Sequence, residues 1–194
     1  MPWNDVAPDK IHRLFYPQIP VIVTTQFRER IGGMLAIWCV PLSFKPPLIG
    51  VAIAPEHETY KILIEAQAFA INFVDFRHAK RIGELGERSS KEIRDKLSYV
   101  GFTVTKGKST GQPLIQEAEA ALECRVHERH RTGSHELIIG EVTAALAADS
   151  FDDYWDFASY NPVLYAGTED EDGKCWVFRS GRGEKVTVPL KLQA

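Results

Sequence analysis

Residues 33–54 read Gly33-Met-Leu-Ala-Ile-Trp-Cys-Val-Pro-Leu-Ser-Phe-Lys-Pro-Pro-Leu-Ile-Gly-Val-Ala-Ile-Ala54, and their reading decides the fold. An apolar run of strand character breaks at Ser43-Phe-Lys-Pro-Pro47 and resumes at once at Leu48. Two adjacent prolines remove two backbone donors and fix φ, so the break cannot lie inside a sheet. It reads as a rigid elbow between two strands, of the kind that can present backbone groups to a ligand.

Strand signals continue on both sides of this elbow. Pro20 opens the β-branched run 21–25, residues 26–30 form a charged turn, and Gly32-Gly33 starts the strand that runs through Val40. A strand over 48–54 leads into the turn 55–59, where Glu58 or Thr59 caps a helix over 60–66. Residues 69–74 are a buried-type strand, 80–86 and 89–99 are short polar helices over a surface, and 107–113 are a loop. Two long strands, 120–130 and 136–147, are joined by the Gly-containing hairpin connection 131–134. The tail holds strands at 163–165 and 175–178, with a turn over 169–173 between them. Six or seven strands with few helices predict a mainly β protein with short helices. Several strands are apolar on both faces, which favours a small closed barrel, since closure removes exposed edges.

The chain has 194 residues, 44% of them hydrophobic and 25% charged, which is enough for one domain with a sizeable core, taken as 1–194. A formal net charge of −3 gives no reason to expect nucleic acid or an anionic membrane as partner. The N-terminus lacks a basic-then-apolar leader pattern, and no apolar run approaches the ~20 residues that span a bilayer. A cytoplasmic location is expected. Cys39, Cys124 and Cys175 are widely spaced and include no Cys-x-x-Cys, so they read as buried thiols and not as a zinc or dithiol centre.

Several chemistries are disfavoured in the same way. His57, His127, His130 and His135 do not share a ligand spacing, so no metal site is assigned. There is no Gly-x-Ser-x-Gly elbow for a hydrolase, and no Gly-x-Gly-x-x-Gly after a strand for a dinucleotide fold. The four aspartates within 149–156 have the wrong spacing for a calcium loop and read as a solvated turn.

Five stretches occur in a telling order: 33–49, His57-Glu-Thr59, Phe69-Ala-Ile-Asn72, Gly133-Ser-His135 and Ile139-Gly-Glu-Val142. In this order they resemble the flavin reductase-like family of FMN-binding split barrels, which includes flavoredoxins and archaeal ferric reductases. The resemblance spans roughly residues 14–166. It departs from the family at Ser134, where Asp is usual, which alters whatever contact a carboxylate would make.

The resemblance implies an FMN-binding split β-barrel, a Greek-key type closed barrel, working as a homodimer. It implies hydride transfer from NADH or NADPH to bound FMN and onward delivery to free flavin, Fe(III) or a redox partner protein. Mapped onto this chain, Ala36, Ile37, Trp38, Cys39, Ser43 and Phe44 wrap the isoalloxazine ring. A pre-formed backbone segment matches the ring's polar edge without loss of side-chain entropy. His57, Thr59 and Lys61 lie at a turn-to-helix junction, where free amides and the positive helix end favour the phosphate. Thr59 is the strongest candidate, and Arg77, Lys80 and Arg81 form a further basic group. His135 matches the family histidine on the nicotinamide or acceptor side and is the candidate catalytic residue. The rival readings are a non-enzymatic FMN-binding electron carrier and, less favoured, a barrel with no cofactor.

Overall fold

The computed structural model describes residues 3–88, 93–169 and 175–189. Part of the expected helix over 89–99 and most of the expected turn over 169–173 lie outside these residues.

The main sheet has seven antiparallel strands. In chain order they are β1 (Val21–Phe27), β2 (Arg30–Ala36), β3 (Cys39–Phe44), β4 (Pro47–Ile53), β5 (Ala68–Val74), and, further along, β8 (Ala118–Thr132) and β9 (His135–Ala147). The short pair β6 (Val104–Lys106) and β7 (Pro113–Ile115) comes between β5 and β8. A three-stranded sheet, β10 (Val163–Glu169), β11 (Cys175–Ser180) and β12 (Lys185–Pro189), completes the β structure. Three helices, α1 (Glu58–Ala66), α2 (Ala79–Gly86) and α3 (Lys96–Tyr99), pack around it, with 3-10 turns at Pro8–Phe15 and Phe76–His78.

Strand order across the main sheet is β2-β1-β5-β8-β9-β4-β3. Its two edges, β2 and β3, are consecutive in the chain and joined only by Ile37 and Trp38. Laid flat, seven strands would hold their edges about 29 Å apart at ~4.8 Å per strand. Two linking residues span only about 11 Å between Ala36 and Cys39. The sheet therefore curls enough to bring the end of β2 near the start of β3. The expected closed barrel is not reached by hydrogen bonding, because among the described residues no ladder pairs β2 with β3. The Ala52 amide, which donates to the Trp38 carbonyl at 2.9 Å, ties the crossing to β4.

Curling explains why β1 is buried on both faces. Val21 and Val23 point inward with Val51, Ile53, Phe69, Ile71, Cys124, Ile138 and Leu63 of α1. Ile22 points outward into a second core with Ile82, Leu85, Leu97, Phe102, Phe178 and Val188, under the three-stranded sheet. Gly140 has a packing reason to lack a side chain, since a Cβ there would lie 2.6 Å from Phe69 Cζ. Asn72 is fully buried and knits three strands. It donates to Ile22 O and Thr24 Oγ1, each at 3.0 Å, and accepts from Ile115 N at 2.9 Å. The Phe69–Asn72 motif is thus structural at its asparagine. No helix among the described residues is long and apolar enough to cross a membrane.

The expected elbow is smaller than its sequence suggests. Ser43 and Phe44 stay in the ladder opposite Leu48 and Pro47, and only Lys45–Pro46, a cis peptide, make the turn. Pro41 is tolerated because β3 is an edge strand with a bulge between Pro41 and Ser43. The apolar run expected through Val40 is instead broken at Ile37–Trp38, where the chain passes from one sheet edge to the other.

Candidate functional site

The crossing at Ile37–Trp38 gathers aromatic rings from three parts of the chain. The Trp38 indole lies 4.7 Å from the His135 ring, centroid to centroid, with the planes tilted by 45°. His12, from the 3-10 turn Pro8–Phe15, meets Trp38 edge-on at 6.0 Å. Ser134 Oγ lies 2.9 Å from His135 Nδ1, so the residue standing where the family has Asp orients the imidazole. At the crossing itself, Ala36 is buried, Ile37 and Cys39 are half-buried, and Trp38 is exposed along one side. Ser43 Oγ accepts from Lys45 N at 3.2 Å and closes the hairpin turn, at whose tip Phe44 stands 97% exposed.

Beside this aromatic group begins α1. His57 occupies its N-cap without a side-chain capping bond, and Lys61 N donating to His57 O is the first helical bond, at 3.4 Å. Helix geometry leaves the amides of Glu58, Thr59 and Tyr60 without helical acceptors. Thr59 is buried against β2, with its Cγ2 3.0 Å from where a Cβ on Gly32 would stand. Lys61 turns outward into an ion pair with Glu58 at 3.2 Å. Gly33 faces the other side of β2, where Leu97 of α3 fills its place; a Cβ there would lie 2.7 Å from Leu97 Cδ2. The Gly32-Gly33 pair thus lets α1 and α3 both approach the strand.

That packing brings in Lys96, which no motif in the sequence marks. Its side chain is buried, and Nζ donates to Arg88 O at 2.8 Å and Leu85 O at 3.2 Å. Burial pushes its pKa down to about 8. His57 is also held below the ordinary histidine value, first by burial, then by the positive charges of Lys96 and His135, against the opposing charge of Glu56. Both positive groups therefore lie within electrostatic reach of His57. A tie between α1 and the β9 end runs through Glu136, which accepts from Tyr60 Oη at 2.7 Å and pairs with Arg129 at 3.4 Å.

Of the remaining basic candidates, Lys80 is exposed, and Arg77 and Arg81 are occupied elsewhere. Arg77 pairs with Glu119 and lies 4.0 Å from Asp75, while Arg81 donates to Gly101 O and lies over the Phe102 ring. Burial pushes the Cys39 thiol up to about 11 and the Cys124 thiol to about 12, so both are inert as nucleophiles. Among the described residues no group of three His, Cys, Asp or Glu side chains could hold a metal ion. Chemically, the arrangement offers an aromatic face beside a bent backbone, with a helix N-terminus and a buried cation nearby. That combination suits a planar aromatic ligand carrying a phosphate.

Comparison with known proteins gives the same direction. The family model of the flavin reductase-like domain matches residues 12–172. An uncharacterized protein of Aeropyrum pernix is 37% identical over 177 residues, covering 90% of this chain and 67% of its own length. The ferric-chelate reductase (NAD(P)H) of Archaeoglobus fulgidus is 32% identical, over 64% of this chain and 72% of its own. Among solved structures, an FMN-binding protein from Thermus thermophilus with bound 1-cyclohex-2-enone superposes with a TM-score of 0.72. It is 26% identical and covers 100% of this chain and 99% of that one.

Proposed function

The chain belongs to the flavin reductase-like family, and from that premise we propose that it binds FMN at the β2–β3 crossing and reduces it with NADH or NADPH. Electrons then pass to a second acceptor: free flavin, Fe(III) or a partner protein. The observation that carries this reading is the Trp38–His135 ring pair set beside the N-terminus of α1.

When bound, FMN supplies a ring that takes up a hydride and releases electrons singly or in pairs. The protein's own residues position and tune. Backbone groups over Ala36–Cys39, with Ser43 and Phe44, border the ring, and Trp38 lends it an aromatic face. The α1 N-terminus, through His57 and Thr59, receives the phosphate. Lys96 supplies a positive charge there, whereas the charge of Lys61 is shared with Glu58. His135, oriented by Ser134, holds the carboxamide or pyrophosphate of the reductant. No side-chain acid or base is needed for hydride transfer, so the binding groups do most of the catalytic work.

We read the curled sheet as a split barrel and residues 1–194 as one domain, a reading supported by the two cores that share β1. Val40, Leu42 and Phe44 leave an apolar edge on β3 exposed. A second copy of the chain covers this edge and encloses the rest of the flavin.

FMN titration followed by anaerobic mixing with NADH and NADPH tests the proposal. Flavin absorbance that titrates onto the protein and bleaches with either nucleotide is the expected result. Failure to bind FMN overturns it. Reduction by dithionite but by neither nucleotide would make the protein an electron carrier.

A further inference from the structure

At the far end of β2 from Trp38, the turn between β1 and β2 borders a cavity of about 320 Å³ lined by Gln26, Arg28, Thr105, Lys106 and Gly111. At about 3.3 Å per residue, β2 alone spans roughly 20 Å from Arg30 to Ala36, so this cavity is separate from the proposed flavin segment.

Its lining is one-sided in charge. Two cationic residues line it and no carboxylic acid does. Among the described residues neither Arg28 nor Lys106 forms an ion pair. The acid that anchors the neighbouring loop, Glu123, is buried and already engaged. Its carboxylate accepts from Ser109 N at 3.1 Å, Thr110 N at 2.6 Å and Thr110 Oγ1 at 2.8 Å.

Backbone geometry points the same way. Arg28 has φ 55°, the left-handed region that hairpin turns ordinarily give to Gly or Asn. Conformations held against preference are concentrated at ligand sites. The guanidinium lies over the Phe27 ring at 5.2 Å, and Gln26 Nε2 donates to Arg28 O at 3.0 Å. Gln26 N in turn donates to Gln112 Oε1 at 2.6 Å, pinning the turn to the opposite wall. On that wall Gly111, with φ 75°, leaves room for the lysine stem; a Cβ there would lie 3.2 Å from Lys106 Cε. The Arg28 turn is therefore held in place at the edge of the cavity without a ligand, and among the described residues the exposed Lys106 side chain has no ion-pair partner that would compete for an anion there.

We propose that this cavity binds a small phosphate-class anion: inorganic phosphate or the phosphoryl group of a small monoester. Arg28 offers a planar fork of donors, Lys106 a point charge, and Thr105 a hydroxyl. The volume lies at the low end for ligand cavities, which fits a small metabolite and not a dinucleotide.

The test is residue-resolved. The purified protein, with FMN added to saturation, is titrated with inorganic phosphate against sodium chloride at equal ionic strength while backbone amide spectra are recorded. Saturable shifts at Arg28, Thr105, Lys106 and Gly111 are expected with phosphate and not with chloride, and glycerol phosphate should compete. Lys106→Gln should weaken phosphate binding roughly tenfold, the scale of one charge-assisted contact. Arg28→Gly should weaken it at least as much while keeping or raising the melting temperature, because glycine adopts φ 55° freely. Shifts that follow ionic strength alone overturn the proposal. So do shifts confined to His57 and Lys96, or a phosphate response unchanged in both variants.

Discussion

Trp38 and His135 stack at 4.7 Å although one sits at the β2–β3 crossing and the other opens β9. Their contact exists because β3, β4 and β9 are neighbours in the sheet. If this pair forms the aromatic wall of the flavin site, Trp38→Ala should weaken FMN binding by about 0.5–1.5 kcal/mol, the worth of one aromatic contact. Fluorescence of the bound flavin should rise, since the quenching indole is gone, and Trp38→Phe should behave midway. A fluorescence titration reads both effects. Unchanged quenching in Trp38→Ala would place the ring elsewhere.

Lys96 gives the site a pH dependence whose sign can be worked out. Burial lowers its pKa from the ordinary lysine range to about 8, so the unfolded chain holds this proton more tightly than the folded one. Below pH 8 both states are protonated and the burial penalty is present in full. As pH rises from about 8 towards the ordinary lysine value, the folded state sheds the proton and this penalty is relieved, which raises stability. Anion binding goes the opposite way: if the Lys96 charge supports the phosphate, FMN affinity should fall as pH passes 8, because that charge is lost. Calorimetric titration from pH 6.5 to 9.5 checks this, and Lys96→Arg should flatten the profile. A profile identical in both proteins would remove Lys96 from the phosphate site.

Much of this was legible in the sequence, and the gaps have physical causes. Strands β1, β4 and β5 announce themselves because they are buried on both faces and read as unbroken apolar runs. The crossing at Ile37–Trp38 does not, because an apolar residue at a sheet edge and one in a strand look alike. Lys96 was invisible for a related reason: a lysine in a charged stretch reads as solvated, and only the packing of Leu97 over Gly33 buries it. β12 lies past the last strand expected, and its alternating Lys185–Pro189 gives too short a pattern to stand out. The aromatic role of His12 depends on a 3-10 turn with no buried residue, which leaves no periodic signal.

Gly33 and Leu97 are the joint through which β2 sets the position of α3. Gly33→Ala brings a methyl to 2.7 Å from Leu97 Cδ2, so it should destabilise the protein by about 1–3 kcal/mol, the usual scale of overpacking. It should also weaken FMN binding by displacing Lys96. Adding Leu97→Ala should restore part of the loss, giving a coupling energy of about 0.5–3 kcal/mol in a double-mutant cycle. Strictly additive effects in denaturant melts would show that the two sites are independent.

The apolar edge at Val40, Leu42 and Phe44 predicts self-association. Sedimentation should give a species of about twice 21.8 kDa at micromolar concentration. A charge on this edge away from the proposed flavin contacts, as in Val40→Glu with Leu42→Glu, should yield monomers, and should weaken FMN binding with them if a second copy encloses the flavin. Monomers that hold FMN as tightly as the parent would mean the site is complete within one chain.

The choice between reductase and carrier rests on His135. The reductant must bring its nicotinamide to within about 3–3.5 Å of the reacting flavin atom, so a polar group must orient it. His135 is half-buried, bonded at Nδ1 to Ser134 at 2.9 Å and set against Trp38, which leaves Nε2 as its second polar atom. His135→Ala should therefore raise KM for NADH or NADPH or slow flavin reduction. FMN affinity should change little, by no more than the support the imidazole gives the Trp38 ring. Ser134→Ala should show the same defect in weaker form, because it frees the ring without removing it. Ser134→Asp tests the family's usual residue: a carboxylate at Nδ1 favours the imidazolium, so reduction should become more pH-dependent above neutrality. Anaerobic stopped-flow absorbance measures each rate directly. Equal bleaching rates in His135→Ala and the parent would leave the reductase standing and move the nicotinamide to another face.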